Sequence, residues 1–236
     1  TGHYAQVVQA NKNNTFFMKQ GVDAGKDQTY FLGQITYPQL KKTMFPIGHL
    51  PKSKVRDIAL EMKLPSAGRP DSQGICFLGK INYNDFIKNQ IGEMPGEIRE
   101  LESNKLLGEH KGFWFHTIGQ RRGLKLSGGP WFVVKKDIKN NIIYASKGYD
   151  PITRYSDEID VEEIHFLNPN CNYSNLEQIK FKIRHQPDFN SGRLVSGEHG
   201  IRIKSDTKIS GIAPGQFAVL YDNEEKTCLG SAIISE

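Results

Sequence analysis

An α/β opening followed by two β-rich regions is the fold class this sequence predicts, on three observations. In "PKSKVRDIALEMKLP", Val55, Ile58, Ala59 and Met62 fall at i, i+3, i+4 and i+7, one apolar stripe of a helix bounded by Pro51 and Pro65. After residue 92 the texture changes, and glycines punctuate short apolar runs such as "MPGEIREL" and "GFWFHTIG". From about residue 157, runs such as "DEIDVEEIHFL", "QIKFKIRH" and "GQFAVLYDNEEKTCLGSAII" alternate with turn residues. Five or six antiparallel strands at that spacing make a barrel or a sandwich.

The elements follow in order. Ala5 to Val8 and Thr15 to Met18 read as short strands. The helix between the prolines takes Ser53 as its expected N-cap, because a serine oxygen can accept from otherwise orphan first-turn amides. A second short helix starts near Asn82 or Asn84, carries Phe86 and Ile87, and ends at Gly92. The segment that holds Cys76, "GRPDSQGICFLGK", therefore lies between two helices as a loop or short strand. "GPWFVVKKDIKNNIIYAS" reads as a hairpin turning at Lys139-Asn140-Asn141. Segments 1–85, 86–156 and 157–236 are the expected domains, with no internal repeat and no low-complexity linker.

Composition narrows the function classes. The chain has 236 residues, 37% of them hydrophobic, enough for a core without staples. Cys76, Cys171 and Cys228 are odd in number, far apart and outside any zinc-site spacing, so neither a disulfide framework nor a metal is expected, and a reducing compartment fits. No run approaches the roughly 18 apolar residues of a membrane span. The N-terminal "TGHYAQVVQA" lacks the parts of a signal peptide. A soluble protein is expected, and a chain that opens without methionine inside structured sequence reads as the later part of a longer polypeptide. The charge of +5 and a pI near 9.0 suit a polyanionic partner. Basic spots at 41–42, 120–125, 135–136 and 180–185 could follow a folded RNA or be ordinary solvated faces.

Several motifs could carry chemistry. In "AGKDQTYFLGQI", Lys26, Asp27 and Gln28 follow a glycine, a grouping able to bind phosphate, ribose or a base edge; a solvated turn with Asp27 capping a helix at Tyr30 to Ile35 is the bland reading. "FHTIGQRRGL" sets Arg121 and Arg122 in a glycine-bounded turn after an aromatic strand, suited to RNA phosphates or merely to solubility. "LSGGPW" reads as a hairpin turn, because Pro130 removes an amide donor from any anion nest. The seven histidines form neither HExxH nor Cys/His clusters. Cys76 is balanced locally between a buried core thiol and a nucleophile, which would need a helix N-terminus or a cation such as Arg69 to lower its pKa.

Taken together and in order, "TGHYA", "KDQTYFLGQI", "FPIGHLPKSKVRDIA", "DSQGICFLG", "HTIGQRRGL" and "APGQFAVLY" resemble the successive signatures of the tRNA-specific 2-thiouridylases. These are ATP-dependent enzymes that place sulfur on C2 of the wobble uridine of certain tRNAs. The resemblance is collinear over nearly the whole chain. It implies that residues 1–85 complete a Rossmann-like ATP-pyrophosphatase domain, followed by a small central β-rich domain and a C-terminal antiparallel β-barrel. Cys76, in "GIC", matches the persulfide-bearing cysteine of a two-cysteine mechanism, whose chemistry is thiol exchange. Cys171 and Cys228 match no catalytic position and are expected to be buried structural residues.

The same resemblance implies the remaining roles. Gly2 matches a nucleotide-contacting glycine and His3 a tRNA contact. Lys26, Asp27 and Gln28 match the family's "KDQ" tRNA contact. Arg184 and His185 stand where the family has an Arg-Tyr pair that touches tRNA, with histidine replacing tyrosine, and Gln216 matches a further contact near the target nucleotide. ATP with Mg, a tRNA substrate, a persulfide-donating relay protein and a cytoplasmic setting (organellar in a eukaryote) are the implied cofactor, partners and location, with no tightly bound cofactor and no membrane. The family's Ser-Gly-Gly-x-Asp-Ser loop and first catalytic cysteine lie before "TGHYA", so this chain is expected to be a fragment lacking uridine activation. A non-catalytic tRNA-binding remnant and a sulfur-relay carrier are the alternatives.

Overall fold

The computed structural model describes residues 1–10, 15–69, 82–147, 156–169, 178–197, 200–223 and 227–235. They form two compact units, the first made of Thr1–Gly68 with Ile152–Glu236 and the second of Arg69–Pro151.

Unit 1 is built on one sheet of eight strands. Its members are β1 (Ala5–Ala10), β2 (Thr15–Gln20), β7 (Ser156–Phe166), β8 (Ile179–Lys182), β9 (Asn190–Gly197), β10 (Gly200–Ile209), β11 (Phe217–Tyr221) and β12 (Thr227–Ile234). The order is β1-β2-β12-β11-β8-β9-β10-β7, and β7 also pairs with β12, so the six later strands pair in a ring. The expected antiparallel β architecture of the third segment is present. Among the described residues of 1–68 the only strands are the antiparallel hairpin β1–β2, which joins this ring through Thr227↔Lys19 and Cys228↔Met18. The first and third segments read from the sequence thus share one sheet.

Strand periodicity explains how two layers meet. Along β11, Ala218 and Leu220 face one core with Ile159, Phe181, Ile203 and Ile234. Val219 and Tyr221, pointing the other way, pack with Ala5, Met18, Leu40 and Phe45. Ala218, Val219, Leu220 and Tyr221 are fully buried, and a stretch covered on both faces reads as the continuous apolar run "AVLY" rather than as an alternation. Gly230 lets β12 cross β7 closely: its φ is +148°, and a Cβ there would lie 2.0 Å from the His165 carbonyl oxygen. Gly48 is as constrained, since a Cβ would lie 1.6 Å from Ala5 O.

Helix α1 (Tyr37–Lys41) buries Leu40 against that second core and is closed by a Thr36/Gln39 capping box. Helix α2 (Lys52–Glu61) matches the periodic stripe, but its cap differs from the expectation. The N-cap is Pro51, Ser53 is exposed within the first turn, and the orphan amide of Lys52 donates instead to Asp23 Oδ2 at 3.0 Å. A carboxylate brought in from another loop has displaced the local serine.

Unit 2 holds helix α3 (Tyr83–Ile91) and a sheet ordered β4-β3-β6-β5, from β3 (Gly96–Glu100), β4 (Leu106–His110), β5 (Phe132–Asp137) and β6 (Ile142–Ser146). Helix α3 starts at Asn82, whose Oδ1 accepts from the Asn84 and Asp85 amides, and ends at Gly92 with φ +85°, as the sequence predicts. The β5–β6 turn at Asn141 is also as expected, with Asn141 at φ +54°. Two local readings are corrected. "GFWFHTIG" contains a 3-10 turn at Phe113–Phe115, not a strand. "LSGGPW" joins no two strands, and its loop closes on itself when Trp131 Nε1 donates to Ser127 O at 2.9 Å. Trp131 then caps a core of Ile98, Leu124, Val133, Ile143 and Ala145. Among the described residues no helix is long and apolar enough to cross a membrane.

Candidate nucleic-acid interface

The three residues of the "KDQ" turn in unit 1 do three different things. Lys26 is half-buried, with its amide donating to Asp23 O at 3.0 Å. Gln28 clamps the turn to the chain start: its Oε1 accepts from Tyr4 N, and its own N donates to Tyr4 O, both at 3.0 Å. That fastens His3, one residue away, beside the turn.

Asp27 is 2% exposed, which overturns the reading of a solvated, helix-capping turn. Its Oδ2 accepts from Gln20 Nε2 at 3.0 Å and Thr29 Oγ1 at 2.8 Å. Oδ1 accepts from the amides of Gly21 and Thr29, each at 3.3 Å. The 3-10 turn that follows, Thr29–Leu32, has Gln28 at its N-cap without a side-chain cap bond. Across the sheet, Lys182 Nζ stands 3.5 Å from Asp27 Oδ2, with both side chains 1% exposed. The Lys182 ammonium also lies 4.3 Å from the Phe189 ring centroid and 5.8 Å from that of Tyr221. Thr29 Oγ1 bonds Tyr221 Oη at 3.0 Å, and burial raises the pKa of that phenol far above its ordinary range. A carboxylate so engaged organises the turn; the face it supports is what solvent meets.

That face includes the other candidate residues. His185 Nε2–H donates to the Asp27 carbonyl oxygen at 3.0 Å, which fixes its tautomer and ring plane. The exposed Arg184 donates from Nε to Gln186 Oε1 at 2.9 Å. Tyr30 Oη donates to Ile183 O and Phe217 O, both 3.2 Å away, and so draws the chain next to Arg184 together with the chain next to Gln216. Gln216 is exposed, and its backbone is held by bonds to Ala213 and Ile234. Tyr30 therefore ties the backbone beside Arg184 and the backbone beside Gln216 to the turn that follows "KDQ".

Gly2 and His3 sit at the turn's other side. Thr1 Oγ1 and His3 Nδ1 are hydrogen-bonded at 2.7 Å, and a side chain at Gly2 would meet nothing within 4 Å. Two aromatic residues that sequence reasoning did not assign belong to the cluster. Phe31 is 55% exposed, and its ring lies 4.7 Å from that of His185 at an interplanar angle of 32°. Tyr30 meets Phe31 edge-on at 5.7 Å. The signal was the "TYF" directly after "KDQ".

Cys76 and Cys171 lie outside the described residues. Cys228 is 3% exposed in the core between the hairpin and the ring, and burial pushes its thiol well above the ordinary range, which makes it structural rather than reactive. In unit 2, Arg121 and Arg122 are exposed. Of their motif, His116, Gln120 and Leu124 line a cavity of about 410 Å³. His116 is buried, its Nδ1 has no hydrogen-bond partner, and desolvation, then the charges of His110 and Lys136, hold its pKa down to about 4.

Three family models match in succession: the tRNA methyl transferase HUP domain over residues 1–80, the tRNA methyl transferase PRC-barrel domain over 84–147, and the aminomethyltransferase beta-barrel domain over 156–234. A protein of Parabacteroides distasonis named tRNA-specific 2-thiouridylase MnmA is 55% identical over 99% of this chain and 65% of its own length. The protein of the same name from Porphyromonas gingivalis is 53% identical over 100% of the chain and 66% of its own length. One from Bacteroides fragilis, named tRNA-specific 2-thiouridylase MnmA 2, is 53% identical over 99% and 66%. The chain thus spans just under two thirds of the length of these relatives. Matched from end to end by three consecutive models and by relatives that share one name, it belongs to the tRNA-specific 2-thiouridylase family.

Proposed function

We propose that this chain is the tRNA-docking and sulfur-carrying part of an enzyme that thiolates C2 of a wobble uridine. The observation that carries the reading is that the Asp27 carbonyl holds His185 while Tyr30, three residues on, bonds the backbone beside Arg184 and the backbone beside Gln216. Cations, a ring and an amide on one fixed face are the groups that hold phosphates and an unpaired nucleotide. Within the face Asp27 is a positioning residue, and Gln28 transmits the same order to His3. The open space around Gly2 is what a nucleotide approaching the backbone needs.

In this reading ATP, with Mg, would supply the activation that makes the C2 oxygen of the uracil a leaving group. Cys76 receives the terminal sulfur of a persulfide from a relay protein. That sulfur bonds to C2 as the activated oxygen departs. A second thiol then attacks the Cys76 sulfur, forming a disulfide and leaving the thiocarbonyl on uracil, and an external dithiol, itself oxidised to a disulfide, reduces it for the next turnover. Two of the matching domain models are named for methyl transfer, whereas relatives at 53 to 55% identity are named for thiolation. The closer likeness is followed here. The expected setting is the cytoplasm.

The test uses Cys76→Ser. Incubated with a cysteine desulfurase and cysteine, the wild-type chain should gain one sulfur atom on the Cys76 peptide by mass spectrometry, and the variant none, while both bind a tRNA transcript within about twofold of each other. A persulfide found elsewhere in both proteins would remove Cys76 from the mechanism. Binding of tRNA without any persulfide would leave the chain as a docking module.

A further inference from the structure

The face just described contains an aromatic pair that neither charge nor hydrogen bonding explains. Phe31 leaves 55% of its surface in solvent although it sits on a 3-10 turn whose neighbour Thr29 is fully buried. Single exposed apolar side chains are ordinary. This one is not loose: the His185 ring lies 4.7 Å away and 32° from parallel, and the Tyr30 ring stands edge-on at 5.7 Å. Its partners are fixed in turn, His185 by Asp27 O at 3.0 Å and Tyr30 by the carbonyls of Ile183 and Phe217. The result is a preset two-ring stack at the surface, flanked in the chain by Lys26 on one side and Arg184 on the other.

We propose that the Phe31–His185 pair is a stacking platform for one unpaired base of the bound RNA, the base lying against the exposed remainder of the Phe31 ring and lengthening the stack. The inference rests on the tRNA-docking reading above. A base is favoured over a protein side because the exposed part of one ring is far smaller than a stable protein interface requires, and because Lys26 and Arg184 lie close in the chain to the two rings. Stacking needs a π-face and no particular base, so the platform holds a nucleotide in place without reading its sequence. Histidine serves in the stack as tyrosine would, since each presents a flat ring.

The experiment measures binding of the chain to an unmodified tRNA transcript and to a blunt RNA duplex of the same stem, at about 50 and 200 mM salt. Phe31→Ala should weaken tRNA binding roughly 5- to 150-fold, the range for losing one stacked base, and leave duplex binding unchanged. Phe31→Leu, which keeps the packing volume, should lose nearly as much, whereas Phe31→Tyr and His185→Tyr should stay within about twofold. The loss should be equal at both salt concentrations, because a neutral ring releases no counterions. Thermal melts of the variants check that the fold is kept. If wild type binds tRNA and Phe31→Ala and Phe31→Leu bind it equally well, or if the duplex loses as much, the platform is refuted and the docking reading stands. If wild type does not bind tRNA, both fall together.

Discussion

Replacing Asp27 with alanine separates scaffold from ligand at the "KDQ" turn. The carboxylate accepts from Gln20, Gly21 and Thr29 and faces the buried Lys182 at 3.5 Å. Removing one member of a buried ion pair costs about 3–5 kcal/mol, because the remaining charge keeps its desolvation penalty; here the Phe189 and Tyr221 rings offset part of it. Against a typical domain stability of about 5–15 kcal/mol the loss is large. Followed by circular dichroism, the urea midpoint should fall by roughly 1–5 M, for a slope of about 1–3 kcal/mol per molar. Lys182→Met in the Asp27→Ala background should recover much of it, with a coupling energy of about 2–3 kcal/mol in the double-mutant cycle. Binding of tRNA should return with the fold. A variant that unfolds at the wild-type midpoint yet no longer binds tRNA would refute this, and would make Asp27 a ligand in its own right.

Lys26→Ala and Arg184→Ala should behave in the opposite way. Each should leave the melting temperature within about 2 °C, weaken tRNA binding, and lower the slope of log affinity against log salt by roughly 0.7–0.9; an unchanged slope would take that residue off the phosphate backbone. In unit 2, the folded-state pKa of His116 is about 4, below the ordinary 6.5, so the unfolded chain binds the extra proton first. The stability this contributes is complete above about pH 6.5 and is lost as pH falls toward 4. At pH 5 the loss should be about 2 kcal/mol. Comparing urea midpoints at pH 7.5 and 5.0, His116→Gln should show a smaller decline than wild type by about that amount, and equal declines would count against it.

How much of this the sequence disclosed depends on the range of the interaction. Helix α3 was legible with both ends, since Asn82 and Gly92 act on amides and carbonyls within one turn. The start of α2 was not, because the group that meets Lys52 N is Asp23, 29 residues earlier. The third segment's strands were readable from alternation and turn residues. That β2 pairs with β12 was not readable, as strand pairing leaves no mark in either strand alone. The same holds at the interface. A resemblance supplied Lys26, Asp27, Gln28, Arg184, His185 and Gln216 as a set, but not that Asp27 would be buried and Lys26 left on the face. Phe31 went unassigned because the sequence reading placed it inside a helix at Tyr30 to Ile35, and the His185 ring it meets comes from a strand end more than 150 residues later.

The hydrogen bond between Thr29 and Tyr221 joins residues 192 apart in the chain, and β2 has its outer neighbour only when β12 exists. During synthesis at about 5–20 residues per second, the first hairpin waits roughly 10–40 s for that partner. Until then Met18 and Phe45 have no second layer, and the edge of β2 is an open template for other nascent chains. Cells making this protein slowly should therefore lose it to aggregation at the ribosome rather than after release. A faster translation rate, or a chaperone held at the exit tunnel, should raise the soluble yield more than any substitution in the finished core.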